Sequence, residues 1–403
     1  MRPLTLLLPC LALSGCMLEP DDPVYLSGTV LEADGTPWRG GPLTLMRPRK
    51  VNIRLNEYRA EVWDTRYEPW AEVTPGADGL FLHALQARDT GADELERPHP
   101  WTDLTSFQLH LPPREDGGRD FLWFQAKFDA DLPPLRPWAS SLRAEAAEGG
   151  VRLSWDAVQP TADIPEPKYF MLLQGEQGIA WVAETRSGEP WVGPELLEDF
   201  TDGRARVQAV ARGDRTWVQQ TMLYNAVSES PPLPLPFAGE VPASRGAPCS
   251  VMGDAPLQPC PFTDGKLATL RVPYSGNRLA QEVTVLLPEP VRPRRVVVRG
   301  LLGAGPTEVV HAEGSMDGVT WLPLGESPPL PDLYSIPYTD DPATVFDTER
   351  FVDVLVPEEA PAVRQVRVWA TATFSEAPPP GTQPRASISQ LREVSVFAAP
   401  DAD

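Results

Sequence analysis

The sequence predicts an all-β protein of three consecutive β-sandwich modules, and three observations predict it. Apolar and polar residues alternate over short runs along the chain, with Asp-Gly or Pro between them, as in half-buried strands joined by turns. Proline makes up 48 of 403 residues, about 12% against an average near 5%. The 42% hydrophobic residues and 12 dispersed tryptophans nevertheless exclude a disordered polymer. Finally, proline-rich joints at 131–137 and 231–236 divide the chain, and such joints avoid central strands and act as semi-rigid spacers.

The N-terminus reads as an export signal. Arg2 supplies a positive charge, residues 4–13 are apolar, and small Ser14 and Gly15 precede Cys16. The apolar run is too short to cross a bilayer. A packed N-terminal helix is the competing reading, weakened by the acidic, proline-containing residues 19–23. Leu13-Ser14-Gly15-Cys16 resembles the lipobox of bacterial lipoproteins. The resemblance implies that residues 1–15 are removed, that Cys16 carries acyl chains, and that residues 16–23 form a lipidated tether. Each buried methylene contributes about 0.8 kcal/mol to such an anchor. The expected location is the cell envelope, and Met17 in place of an acidic residue after the cysteine points to the outer membrane. The formal charge, 35 − 56 = −21, argues against nucleic acid as a partner. With Cys10 removed and Cys16 acylated, Cys249 and Cys260 remain, and an even pair in an exported chain predicts a disulfide. Two cysteines without nearby histidine make an incomplete zinc site.

The first module spans 24–133. The run 24–31 alternates so that Tyr25 and Leu26 face opposite ways, with Gly28 where a side chain would crowd a neighbour. Asp34-Gly35 is a hairpin signal. Ser27-Gly28-Thr29-Val30, Asp34-Gly35 and Asp78-Gly79-Leu80-Phe81 resemble the carboxypeptidase regulatory-like (transthyretin-like) domain. The second module spans 134–236. In its run 204–211, Ala205, Val207, Ala209 and Ala211 face one way and Arg204, Arg206 and Gln208 the other, a half-buried strand. Val151, Leu153 and Trp155 resemble the second strand of fibronectin type III domains, whose Trp packs between two sheets.

The third module spans 237–400. Strand-like runs occur at 295–299, 308–311, 351–355, 363–369 and 391–397, and a Ser315-x-Asp317-Gly318-x-x-Trp321 turn lies among them. Together with Val363 to Val368 and Glu393 to Phe397, these residues resemble the discoidin (coagulation-factor C-type) family of galactose-binding-like jelly rolls. The resemblance implies a jelly roll with Trp321 in its core, recognising glycans, lipids or proteins through loops.

Chemistry is sparse. The histidines are His83, His99, His110 and His311, and no metalloprotease, nucleophile-elbow, P-loop or dinucleotide motif occurs, so no catalytic residue, cofactor or metal is assigned. His311 reads as a satisfied or solvent-facing strand residue. Asp317-Gly318 reads as a turn, with Gly accepting positive φ. Asp129, Asp131, the pair Asp340–Asp341 and the pair Glu358–Glu359 read as solvated loops, because calcium needs about 6–8 oxygen ligands. The longest irregular stretch, 325–346, holds Tyr334, Tyr338, Asp340 and Asp341, which we take as the ligand-binding candidates. The expected function is a lipid-anchored envelope protein whose C-terminal module binds a glycan or protein partner. The alternatives are a structural spacer in an envelope complex and the accessory modules of a carbohydrate-active enzyme.

Overall fold

The computed structural model describes residues 18–54, 61–92, 106–147, 150–156, 158–174, 179–185, 191–198, 203–217, 220–266, 271–300, 302–303, 307–328, 346–372 and 385–400. Cys16 and the candidates Tyr334, Tyr338, Asp340 and Asp341 lie outside them, as does His99. The described chain is nearly all β, as expected. None of its helices is long and apolar enough to cross a membrane.

The first module contains β1 (Pro23–Thr29), β2 (Leu43–Arg54), β3 (Glu61–Val73), β4 (Leu80–Gln86), helix α1 (Ala87–Thr90), β5 (Ser106–His110), β6 (Arg119–Gln125) and β7 (Ala130–Asp131). A small sheet β4-β1-β7 packs over β3-β2-β5-β6. Val24 and Leu26 point into the core while Tyr25 is exposed, the alternation read from sequence. A Cβ on Gly28 would lie 2.9 Å from the Phe81 ring, so the crowding expected there is real. Asp34-Gly35 closes a tight turn with a single bridge, Leu31 to Pro37, and not a two-stranded hairpin, because β1 pairs with β4 and β7 instead.

The second module contains β8 (Arg143–Ala147), β9 (Gly150–Ser154), β10 (Lys168–Gln174), β11 (Ile179–Thr185), β12 (Trp191–Val192), β13 (Arg204–Trp217), β14 (Gln220–Glu229) and β15 (Leu233–Pro234). Val151 and Leu153 enter its core with Ala205, Val207 and Ala209, while Trp155 stacks on Tyr169 at the rim, centroids 4.6 Å apart. The polar side of β13 departs from expectation. Arg206 and Gln208 are buried, not solvated, because the buried Glu229 carboxylate on the neighbouring strand β14 accepts hydrogen bonds from both and from Arg119 of β6. A buried charge must be paired, and these donors supply the pairing.

The third module contains β16 (Cys249–Val251), β17 (Tyr274–Ser275), β18 (Arg278–Leu279), β19 (Glu282–Val291), β20 (Pro293–Arg299), β21 (Leu302–Gly303), β22 (Thr307–Ser315), β23 (Leu322–Glu326), β24 (Phe346–Leu355), β25 (Val363–Ala372), β26 (Ile388–Gln390) and β27 (Glu393–Ala398). A five-stranded sheet β16-β19-β25-β22-β23 faces β27-β20-β24 across one core holding Val296, Val298, Val366, Val368 and Val396. Cys249 and Cys260 are joined, with Cα atoms 5.3 Å apart.

The joints are not spacers. Leu132 and Leu135 of the first are buried in the first core, and Leu233–Pro234 of the second pairs with Arg204–Ala205. One hydrogen-bonded sheet of 12 strands crosses all three modules, in the order β27-β20-β24-β11-β10-β13-β14-β6-β5-β2-β3 with β15 beside β13. Strands β14 and β6 join the first two modules antiparallel, and β11 and β24 join the last two in parallel. Tyr224 and Ala226 of the second module complete the first core, and Val297 and Phe397 of the third complete the second.

Candidate functional site

The outer face of the five-stranded sheet brings together side chains that alternation alone would send to water. On β25, Val366, Val368 and Ala370 point into the core, which turns Arg367 and Trp369 outward. The register sets Trp369 opposite Glu282 of β19 and His311 of β22, and sets Arg367 opposite Glu313.

The resulting row is tightly interlocked. The His311 ring stacks on Trp369 with centroids 4.1 Å apart and planes 16° apart. The Arg385 guanidinium lies over Trp369, 4.7 Å from its centroid, and is paired with Glu282. Arg367 donates through Nε and Nη2 to Glu313 Oε2 at 2.8 and 2.5 Å, and it caps Trp321 at 4.1 Å from the ring centroid. Glu326 of β23 lies 3.6 Å from His311 Nδ1. Burial pushes the His311 pKa down against the opposing pull of Glu326 and Glu313, and Arg385 lowers it further, so the ring is neutral at neutral pH.

Two ring nitrogens here, Trp369 Nε1 and His311 Nε2, are buried without a hydrogen-bond partner, although Trp369 is only 4% exposed. A buried polar atom left unpaired is costly, which marks this row as a place where a hydroxyl-bearing ligand or water would gain. His311 is a strand residue on the outer face, partly exposed and beside Glu326, as the sequence reading has it. Trp321, by contrast, is not core: it is half-buried on the outer face beneath Arg367, because the tight 315–320 turn returns the chain before β23 starts.

Asp317 is a turn-former. Its Oδ1 accepts from the backbone N–H of Val319 and Thr320, both at 2.8 Å, and from Ser315 Oγ, and these bonds hold its pKa down to about 2. Gly318 takes φ +75 in that turn. Asp131 is paired with Arg215, Asp129 accepts from Tyr25 N–H, and Glu358 and Glu359 are exposed. Among the described residues no group of three or more His, Cys, Asp or Glu side chains could hold a metal ion.

The stretch carrying Tyr334 and Tyr338 lies outside the described residues from 329 to 345. Before it, Ser327 follows Glu326, the neighbour of His311, and is pinned by hydrogen bonds with the backbone of Val310 in both directions. Sequence reasoning missed Trp369, Arg367, Glu282 and Arg385. The available signal was a tryptophan on the polar side of an alternating strand.

No family model and no curated relative matches the sequence. Solved structures similar to it include CpGH89CBM32-6 of Clostridium perfringens, at 14% identity and TM-score 0.24, covering 38% of this chain and 94% of that one. CpGH89CBM32-4, in complex with glcNAc-alpha-1,4-galactose, is 12% identical, with TM-score 0.23 and coverage of 39% and 92%. The C-terminal domain of a chitobiase from Bacteroides fragilis is 16% identical, with TM-score 0.22 and coverage of 38% and 90%. Likeness of this degree carries no argument about ligand, which must come from the geometry above.

Proposed function

We propose that the third module is a non-catalytic binding module for a neutral glycan, carried by a protein that Cys16 anchors to a membrane of the cell envelope. The observation that carries this reading is the row of planar side chains on the outer sheet face with two buried, unpartnered ring nitrogens. Its charges are three carboxylates, Glu282, Glu313 and Glu326, against two guanidinium groups, Arg367 and Arg385, which nearly cancel. A surface of that kind suits vicinal hydroxyls, which accept from guanidinium and donate to carboxylate, better than it suits a polyanion. Tyr334 and Tyr338, in the stretch that follows Ser327, would add rings for the apolar sugar faces, and Asp340 or Asp341 further acceptors.

A glycan array probed with the soluble part, residues 17–403, tests this. The wild type should bind a set of neutral glycans, and Trp321→Ala and the double variant Tyr334→Ala, Tyr338→Ala should lose that binding at nearly unchanged melting temperature. A wild type that binds nothing on the array, yet captures an envelope protein, would turn the reading to the structural spacer. Anchoring is tested apart: Cys16→Ser should leave the body in the aqueous phase of a detergent partition, and an unchanged partition would refute acylation.

A further inference from the structure

The described chain is folded almost up to the anchor. Leu18 packs against the first module's core, and Glu19 to Asp22 form a turn closed by Asp22 N–H to Glu19 O at 2.9 Å. That turn is bonded to the start of α1, with Ala87 N–H donating to Asp22 O and Arg88 N–H to Pro20 O. Of the segment 16–23 expected to be a lipidated tether, residues 18–23 are therefore built into the module. Cys16 stands two residues before Leu18, and two residues span at most about 7 Å.

A body held so closely must present a particular surface to the bilayer, and β1 leads directly into one. The outer face of the sheet β4-β1-β7 carries Tyr25, Leu82 and Leu80, which are 40%, 70% and 54% exposed. They share that face because the register places Leu82 opposite Ser27 and Leu80 opposite Thr29, two and four residues beyond Tyr25. The row extends roughly 13 Å along the strand from its anchored end. Phe128, 38% exposed, lies at the same end, where Lys127 O accepts from Thr90 of α1 and Asp129 accepts from Tyr25 N–H.

We infer that the outer face of the β4-β1-β7 sheet rests on the bilayer that holds the Cys16 lipid, with Leu80 and Leu82 among the lipid headgroups and Tyr25 and Phe128 at the interface. This rests on the acylation reading. The occupant is a membrane and not a soluble partner because the folded module begins two residues after the anchor and its first strand, β1 from Pro23, carries this face. Apolar side chains gain by entering the headgroup boundary, and aromatic rings favour that depth. The contact is apolar, since Glu19, Asp21, Asp22 and Asp129 outnumber Arg88 and Lys127 at this end.

The test uses the acylated full chain in phosphatidylcholine vesicles, with Leu82→Cys or Val319→Cys carrying an environment-sensitive fluorophore. Val319, 81% exposed in the third module, is the control. With Cys249 and Cys260 bridged and Cys16 acylated, the new cysteine is the only reactive thiol. The Leu82 probe should shift to the blue and be quenched by lipids labelled at shallow depth, while the Val319 probe stays in water. If the chain floats with vesicles but both probes remain in water, docking is wrong and the anchor stands. If the chain does not float at all, the anchor reading falls and docking with it. Disulfide-linked dimers of unlabelled Leu82→Cys chains before vesicles are added would show a second copy on this face and overturn the proposal.

Discussion

At position 393 a carboxyl group sits in β27 where burial, followed by the nearby Glu198 charge, pushes its pKa up to about 8. Its Oε1 accepts from Gly265 N–H at 3.1 Å, a bond that an uncharged group can also accept. The folded value exceeds the ordinary 4.5, so the fold favours the neutral form. The carboxyl's contribution is thus fully present below about pH 4.5 and lost as the pH rises through about 8. Glu393→Gln keeps the hydrogen bond and cannot ionise, so its melting temperature should fall less than that of the wild type between about pH 5 and about pH 9. Parallel curves would show that another group is responsible. Gly79 makes a backbone prediction of the same scale. It has φ +79, and a Cβ there would lie 2.4 Å from Val30 O, which itself is tied into the adjoining turn. Gly79→Ala should cost at least about 1–3 kcal/mol in denaturant unfolding, from the left-handed backbone alone; a variant within error of wild type would mean the turn relaxes freely. The histidines show how little residue type reveals. His110, stacked on Phe121 at 4.5 Å and held to Gln108, has its pKa pushed down to about 3 by burial, and nothing in its local sequence distinguishes it from His311.

Elements of the third module were the most legible. The apolar runs at 295–299 and 363–369 fall within strands and that at 391–397 does so from Glu393 on, because both faces of such strands reward one simple pattern: Val296 and Val298 face the module's own core, and Val297 faces the second module. The loop closed by Cys249 and Cys260 is short, with a sequence separation of 11, and it carries β16 against β19. Replacing both cysteines with serine should therefore destabilise the protein by about 2–4 kcal/mol, read as a lower denaturant midpoint at unchanged slope. An unchanged midpoint would mean that the β16–β19 pairing already holds the loop. The element least legible was the turn 193–198. Glu195 pairs with Arg294 and Arg295, and the buried Glu198, at φ 49, pairs with Arg299 and is hydrogen-bonded by Ser395. Their partners are about 100 to 200 residues away in the chain, a separation across which local pattern carries no information.

For the whole molecule, the shared 12-stranded sheet and shared cores predict one cooperative unit in place of three beads. Calorimetry of the soluble part should give a single transition whose calorimetric and van't Hoff enthalpies agree, and separately melting modules would contradict the role given to the β14–β6 and β11–β24 ladders. The sequence by itself determined the all-β class, the alternating core positions, the glycine-dependent turns and the cysteine pair available for bridging, since each is a local consequence of side-chain period, backbone sterics or residue count. Only the tertiary structure decided that Trp369, His311, Arg367 and Arg385 share one face, that Glu229 and Glu198 are buried among arginines, and that proline-rich joints pack instead of spacing. The reason is physical: edge-to-edge strand pairing is made by backbone groups common to every residue, and which edges meet depends on contacts between distant segments that no local pattern encodes.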